Sequence, residues 1–301
     1  MSSRSLRFVL PALTLNFHPV LADDRLLPIW GKEAEARGYT LPKPFGLSLS
    51  YMDMSNPVEV KSIGLTGHPV LEALQIDAPD ARFEGYNVTL RGDMWLFPFW
   101  NIYGILGYTD GHSEAPIREF GCDIELVSSI GNKLLCGTLN DLAPEVLGLP
   151  FQLELSGATY GMGTTLAGGV GNWFALVDVN YTLTNLSLID GEITTLVAAP
   201  RIGYRWQFDG GRELRLFAGA MYQKVDQNLG GSLLNLGLPD AVNGVLERLA
   251  PDAHFQVVQS GTSPWNTVVG VQYALNRDWE LLLETGFGAR NTSFLSLGRR
   301  F

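Results

Sequence analysis

The sequence predicts an all-β chain: an antiparallel, up-and-down transmembrane β-barrel of about ten strands, with eight or twelve as alternatives and short helices in its loops. Three observations predict it. Stretches of about ten residues alternate apolar and polar side chains through most of the chain. Aromatic residues gather at the ends of those stretches, as interfacial girdles do. The connections between them alternate long and short. No segment reaches about 18 uncharged apolar residues, so no helical span is expected.

The N-terminus reads as a leader. Arg4 and Arg7 make a positive start, Phe8 to Phe17 is a short apolar run, and Val20-Leu21-Ala22 fits a cleavage site. Cleavage after Ala22 is expected. A buried helix is the competing reading, and Pro11, Asn16 and Pro19 oppose it. Residues 23–43 then form an N-terminal segment ahead of the barrel, 44–301. Losing Arg4 and Arg7 leaves 19 basic against 31 acidic residues, a net of −12. That balance excludes a nucleic-acid partner. Mean hydropathy is +0.09 despite 34 glycines.

The strands follow in order. Phe45–Tyr51, Tyr86–Leu96, Trp100–Tyr108 and Tyr160–Leu166 are the early candidates. Trp173, Ala175, Val177, Val179, Tyr181 and Leu183 share one face, with Asp178, Asn180, Thr182 and Thr184 opposite. Leu196 to Phe208 alternates with Arg201, Arg205 and Gln207. Leu214 to Tyr222 alternates with Arg215 and Gln223. Val269 to Leu275 faces Gln272, Trp279 to Phe287 faces Glu280 and Glu284, and Leu295, Leu297 and Phe301 close the series. Long connections (54–83, 109–157, 224–265) fall on one side. Tight turns (Pro98-Phe99, Asp209-Gly210-Gly211, Asn276-Arg277-Asp278) fall on the other. A soluble sheet also alternates, with its apolar face turned inward; the loop asymmetry and the aromatic ends favour lipid on the apolar side.

The last strand, Asn291 to Phe301, with its terminal aromatic, resembles those of bacterial outer-membrane β-barrel proteins. So do Pro44-Phe45-Gly46-Leu47-Ser48-Leu49-Ser50-Tyr51 and Trp279 to Gly288, which are similar to Gram-negative proteins usually described only as outer-membrane barrels. The resemblance covers about Leu41 to Phe301. It implies an outer-membrane location, contact with outer-membrane lipid, and recognition of Phe301 by the barrel-assembly machinery. Residues 23–43 would then be periplasmic. Arg299 departs from the pattern, because an apolar residue is usual at that outward position; it could snorkel to the headgroups.

With apolar faces on lipid, polar side chains line the lumen. Four basic residues (Arg91, Arg201, Arg205, Arg215) and four acidic ones (Asp93, Asp178, Glu280, Glu284) point inward. Balanced signs in a narrow barrel favour a paired network over a selectivity lining. Cys122 and Cys136 are the only cysteines and are expected to pair in an oxidising compartment, closing a surface loop. Gly64 to Leu74 and Leu238 to Leu249 carry helical patterns suited to capping the barrel mouth.

Catalytic signals are sparse. His68, His112 and His254 fall in expected outer loops. Asp110-Gly111-His112 puts a carboxylate and an imidazole on one strand face, where they could activate water. The pair resembles one half of the omptin protease site; its acidic other half has only Asp53 and Asp226 as candidates. No serine is tied by spacing to a histidine. The glycine clusters precede strands and read as turns. No metal or cofactor motif is present. Three functions follow, in order: a non-catalytic structural or surface-interaction barrel, a narrow channel for small solutes, and a surface hydrolase using Asp110 and His112.

Overall fold

The structure is a computed structural model that describes residues 26–187, 189–235, 247 and 250–301. The leader, and the helical pattern at 238–249 apart from Glu247, lie outside the described residues. Among the described residues the strands run β1 (Phe45–Thr66), β2 (Leu74–Asp77), β3 (Asp80–Phe97), β4 (Trp100–Pro116), β5 (Glu119–Cys122), β6 (Pro150–Glu154) and β7 (Gly157–Val170). They continue as β8 (Trp173–Leu186), β9 (Asp190–Gln207), β10 (Glu213–Ser232), β11 (His254–Gly261), β12 (Trp265–Ala274), β13 (Trp279–Phe287) and β14 (Asn291–Arg300). The helices are α1 (Gly31–Ala36), α2 (Pro69–Glu72) and α3 (Ile130–Val146). None is long and apolar enough to cross a membrane.

Ten strands close a ring in the order β1-β3-β4-β7-β8-β9-β10-β12-β13-β14, every pairing antiparallel. The closing seam runs from Gly46 opposite Arg300 to Ser55 opposite Asn291. Closure removes the unpaired edges that an open sheet would present. Tight turns sit at one end. Gly210 and Gly211 take φ of 77° and 75°, a backbone region open to glycine. Asn276 Oδ1 accepts from the backbone N–H groups of Asp278 (2.8 Å) and Trp279 (2.9 Å).

The alternation sends apolar side chains outward. Leu106 is 65% exposed, Met162 72% and Ile202 59%, exposures that need lipid rather than water around them. Aromatic pairs bound this belt at both ends. Trp173 meets Tyr204 edge-on at 5.2 Å near the tight turns, and Tyr222 meets Trp265 at 5.3 Å near the long loops. The face of β4 turns Leu106 and Tyr108 outward, with Tyr103 and Ile105 lining the lumen. This is the architecture of an outer-membrane β-barrel.

Several strands run well past the expected ends. β1 continues to Thr66, β3 begins at Asp80, and β10 reaches Ser232. β12, β13 and β14 stay short. Above them β11 pairs with β10 on one side (Asp226 opposite Ser260) and with β1 on the other (Val58 opposite Gly261). One strand thus replaces three. Fewer staves mean a narrower ring, so the barrel tapers as it leaves the apolar belt.

The segment 109–157, expected as one long loop, holds the end of β4, then β5, α3 and β6. Ser129 caps α3 by accepting from Asn132 N–H (3.1 Å). β5 pairs with β2, and the Cys122–Cys136 disulfide ties β5 to α3. Both cysteines pack with Val70, Ala73 and Val127 in a small core outside the barrel. Removing the disulfide (Cys122→Ser with Cys136→Ser) is expected to leave the barrel folded. The cap alone should lose stability, by about 3 kcal/mol on chain-entropy grounds. Limited proteolysis would show new cleavage confined to 117–149, with the heat-dependent gel shift unchanged.

Candidate functional site in the barrel lumen

The interior holds a cavity of about 1600 Å³. All eight charged residues singled out by alternation line it. Arg91 and Asp178, and Arg201 and Glu284, meet across the lumen rather than along one strand. Arg201 Nε donates to Glu284 Oε2 (2.6 Å) and its Nη2 to Oε1 (2.9 Å), a two-point clasp from β9 to β13. Arg91 lies 3.8 Å from Asp178 and stacks its guanidinium over the Tyr103 ring at 3.5 Å. Tyr103 Oη and Thr165 Oγ1 donate to the same carboxylate at 2.7 and 2.6 Å. The Tyr103 ring has room because residue 163 is glycine; a Cβ there would collide with it.

Two members of the paired lining escape sequence reasoning. Arg300 Nη1 donates to Asp93 Oδ2 (2.9 Å), and its Nε stands 3.9 Å from Glu280. Glu213 pairs with Arg215. The inward parity of both residues was available from the alternation, but each sits at a strand terminus. Gln272 links Arg215 (3.1 Å) to Glu280 (2.9 Å), which completes a chain of polar contacts at the tight-turn end. Arg205 differs: it donates to Gly171 O (3.1 Å) and, among the described residues, meets no carboxylate.

Each end of the cavity is covered. At the tight-turn end the segment 26–43 crosses the mouth. Ile29 N–H donates to Leu96 O (2.8 Å), Trp30 packs on Phe97 (4.9 Å), and Lys43 pairs with Asp278 (2.5 Å) in the β12–β13 turn. At the long-loop end an apolar core fills the narrowed ring. Val58, Phe83, Ala115, Ile193, Leu229 and Val257 come from six strands, and Leu153 and Leu155 from the cap-side chain. Leu155 and Val257 are fully buried. Ser113 on β4 donates to Gln259 on β11 (3.1 Å), bridging two strands that are not neighbours. The outer lumen is therefore apolar and filled, where the sequence reading expects a polar lining throughout.

The histidines do not form a reactive group. Asp110 and His112 share a face of β4, and it is the outer face, beyond Tyr108. Ser156 Oγ donates to the Asp110 carboxylate (2.8 Å), and no hydrogen bond joins Asp110 to His112 among the described residues. Asp53 is on β1, two strands away through Tyr86, and Asp226 is on β10, held by Lys224 at 2.7 Å. All three carboxylates face away from the lumen; Tyr86 separates Asp53 from Asp110, and Asp226 lies on the opposite side of the ring. His68 caps α2, its Nδ1 accepting from Val70 N–H (3.2 Å). His254 Nδ1 lies 2.8 Å from Asp252 O, at the start of β11. His112 is on a strand, not in a loop. No cluster of three potential metal ligands occurs among the described residues.

Arg299 lies on the outer face between Trp279 (5.4 Å) and Phe301 (4.9 Å), so a cation occupies the gap between two girdle rings. Phe301 N–H donates to Phe45 O (2.9 Å) at the closing seam.

Neither a family model nor a curated protein matches the chain. Among solved structures it is similar to the β domain of the Bordetella autotransporter BrkA, at 10% identity, covering 86% of this chain and 100% of that one, with a TM-score of 0.42. It is also similar to the outer-membrane protein OprG of Pseudomonas aeruginosa (10% identity, 87% and 98% covered, TM-score 0.37). A third is the COG4313 outer-membrane channel of Pseudomonas putida F1 (11% identity, 87% and 97% covered, TM-score 0.33).

Proposed function

We propose that this protein is a non-conducting, non-catalytic barrel of a Gram-negative outer membrane, exported with a cleaved leader, whose role is structural or lies in surface interaction. The outer closure carries the reading. A channel needs a continuous aqueous path, and the apolar core around Leu155 and Val257 occupies the ring where that path would leave. Below it the central charges face each other in pairs, which cancels the field that a selectivity lining requires. The strands that project past the lipid belt, with β11 and the disulfide-tied cap, form an ordered platform on the outer side.

A narrow solute channel is the second reading, favoured by the cavity between the two covers. Planar-bilayer recording separates them. The purified protein is expected to insert and give no discrete current steps in 1 M salt. Steps that shift when Glu284 is changed to Gln would overturn the first reading and establish the second.

A further inference from the structure

Charge pairing accounts for most of the lumen and leaves Arg290 over, as it does the more exposed Arg205. Arg290 follows β13 and is 5% exposed. Its side chain donates only to main-chain carbonyls: Nη1 to Ser263 O (2.7 Å) and Pro264 O (3.4 Å), Nη2 to Pro264 O (3.5 Å). Its Nε has no partner, and among the described residues no carboxylate comes within 4.0 Å. Burial pushes the guanidinium below its ordinary value, with no acid to oppose the shift. Asn266 clamps the backbone from both sides, accepting from Arg290 N–H (3.2 Å) and donating to Arg290 O (3.0 Å). A buried cation held in place without a counter-charge is expensive.

Its surroundings are mixed. Ser55 pairs with Asn291, the residue after Arg290, and Oδ1 of Asn56, the next residue on β1, is also buried without a partner. Apolar side chains follow, interleaved with Ser50, Thr292 and Ser296. Met54 stands opposite Thr292, Met52 opposite Phe294, and Met221 opposite Asn266. Met52, Met54, Met221 and Phe294 line the same cavity as Arg290. The lining from β3, β4, β7 and β8 mixes Asn, Thr, Tyr and charged side chains with Ile105, Phe174 and Leu176. Methionine side chains adapt to ligands of varied outline, and the cavity exceeds what a small organic molecule needs.

We propose that the lumen is a binding cavity for an anionic amphipathic molecule, a carboxylate attached to an apolar body. The acid group sits at Arg290, which supplies the planar donor fork suited to a carboxylate. The apolar body lies along Met52, Met54, Met221 and Phe294. This site does not depend on the surface role, because a closed outer end and an occupied interior are independent properties.

The probe is 4-phenylbutanoate, titrated calorimetrically into the full chain held in amphipol, beside its neutral amide. Folding is checked in every variant by the heat-dependent gel shift. The acid is expected to bind at least tenfold more tightly than the amide. Arg290→Gln should abolish that preference, and Met54→Trp, which fills the apolar wall without touching Arg290, should weaken both. Equal affinity for acid and amide overturns the proposal, as does unchanged binding in Arg290→Gln. Sulfate binding that requires Arg290 while phenylbutanoate fails to compete would mean an inorganic anion only, and also overturns it. If Arg290→Gln does not fold, the acid-to-amide ratio and Met54→Trp decide.

Discussion

Glu284→Ala should destabilise the folded barrel by about 3–5 kcal/mol, the penalty for removing one partner of a buried ion pair. The size follows from what is left behind. The Glu284 side chain is 7% exposed and that of Arg201 15%, so water cannot replace the lost carboxylate. Both Arg201 donors that point at Glu284 lose their acceptor together. Replacing the pair with apolar side chains of similar volume, Arg201→Met with Glu284→Leu, removes the stranded charge and should return stability to within about 1–2 kcal/mol of the parent. Urea unfolding of the protein in lipid vesicles gives both values. A single variant as stable as the parent would mean that lumen water screens the pair.

Leu155→Asp should have the larger consequence, because it acts on structure and permeability at once. Leu155 has no exposed surface and joins the apolar core that seals the narrowed ring. A carboxylate there has neither a cation nor water, and a cost of about 4 kcal/mol or more is expected. Leu155→Ala, which only leaves a cavity, should cost about 2–5 kcal/mol. The two variants differ in a second readout. Where Leu155→Asp still inserts, the charged side chain should hydrate the seal and current steps should appear in bilayers. Leu155→Ala should stay silent. Silence in both would place the block elsewhere, at the segment 26–43 that covers the opposite mouth.

The membrane-embedded part of this fold was legible because lipid enforces a simple rule. From Val177 to Thr184 every outward residue must be tolerable in hydrocarbon and every inward one must fit a polar interior, so the period of two is unbroken. Past the lipid belt the rule lapses. At Val58, Phe83, Ile193 and Leu229 the inward side chains are apolar, and the alternation that marks strands below no longer distinguishes the faces. Alternation therefore marks β1, β3 and β10 short and leaves β6 and β11 within loops. Helix α3 was hidden for a different reason: Gly131, Gly137 and Pro144 break its pattern, and its order comes from Ser129, the disulfide and Val127 rather than from an amphipathic stripe. Within the lumen, parity located eight charged residues, but it could not say which would meet. Arg300 and Glu213 were passed over as strand ends, and Arg205 was counted into a balance that it does not join. Arg290 was beyond reach, because a residue between two strands has no parity to follow.

The position of β1 bears on how the molecule comes to exist. It pairs with β3, its near neighbour, but also with β14, where Ser50 bonds to Ser296 across 246 residues of chain, and with β11. Contacts of such sequence separation form late, since the entropy of closing the intervening chain must be met before the pairing rewards it. Until then both edges of the curved sheet stand open and competent to pair with other chains. Joining β1 to its two remote partners is thus expected late in folding, and its rate sets how long the unfinished molecule is exposed to misassembly.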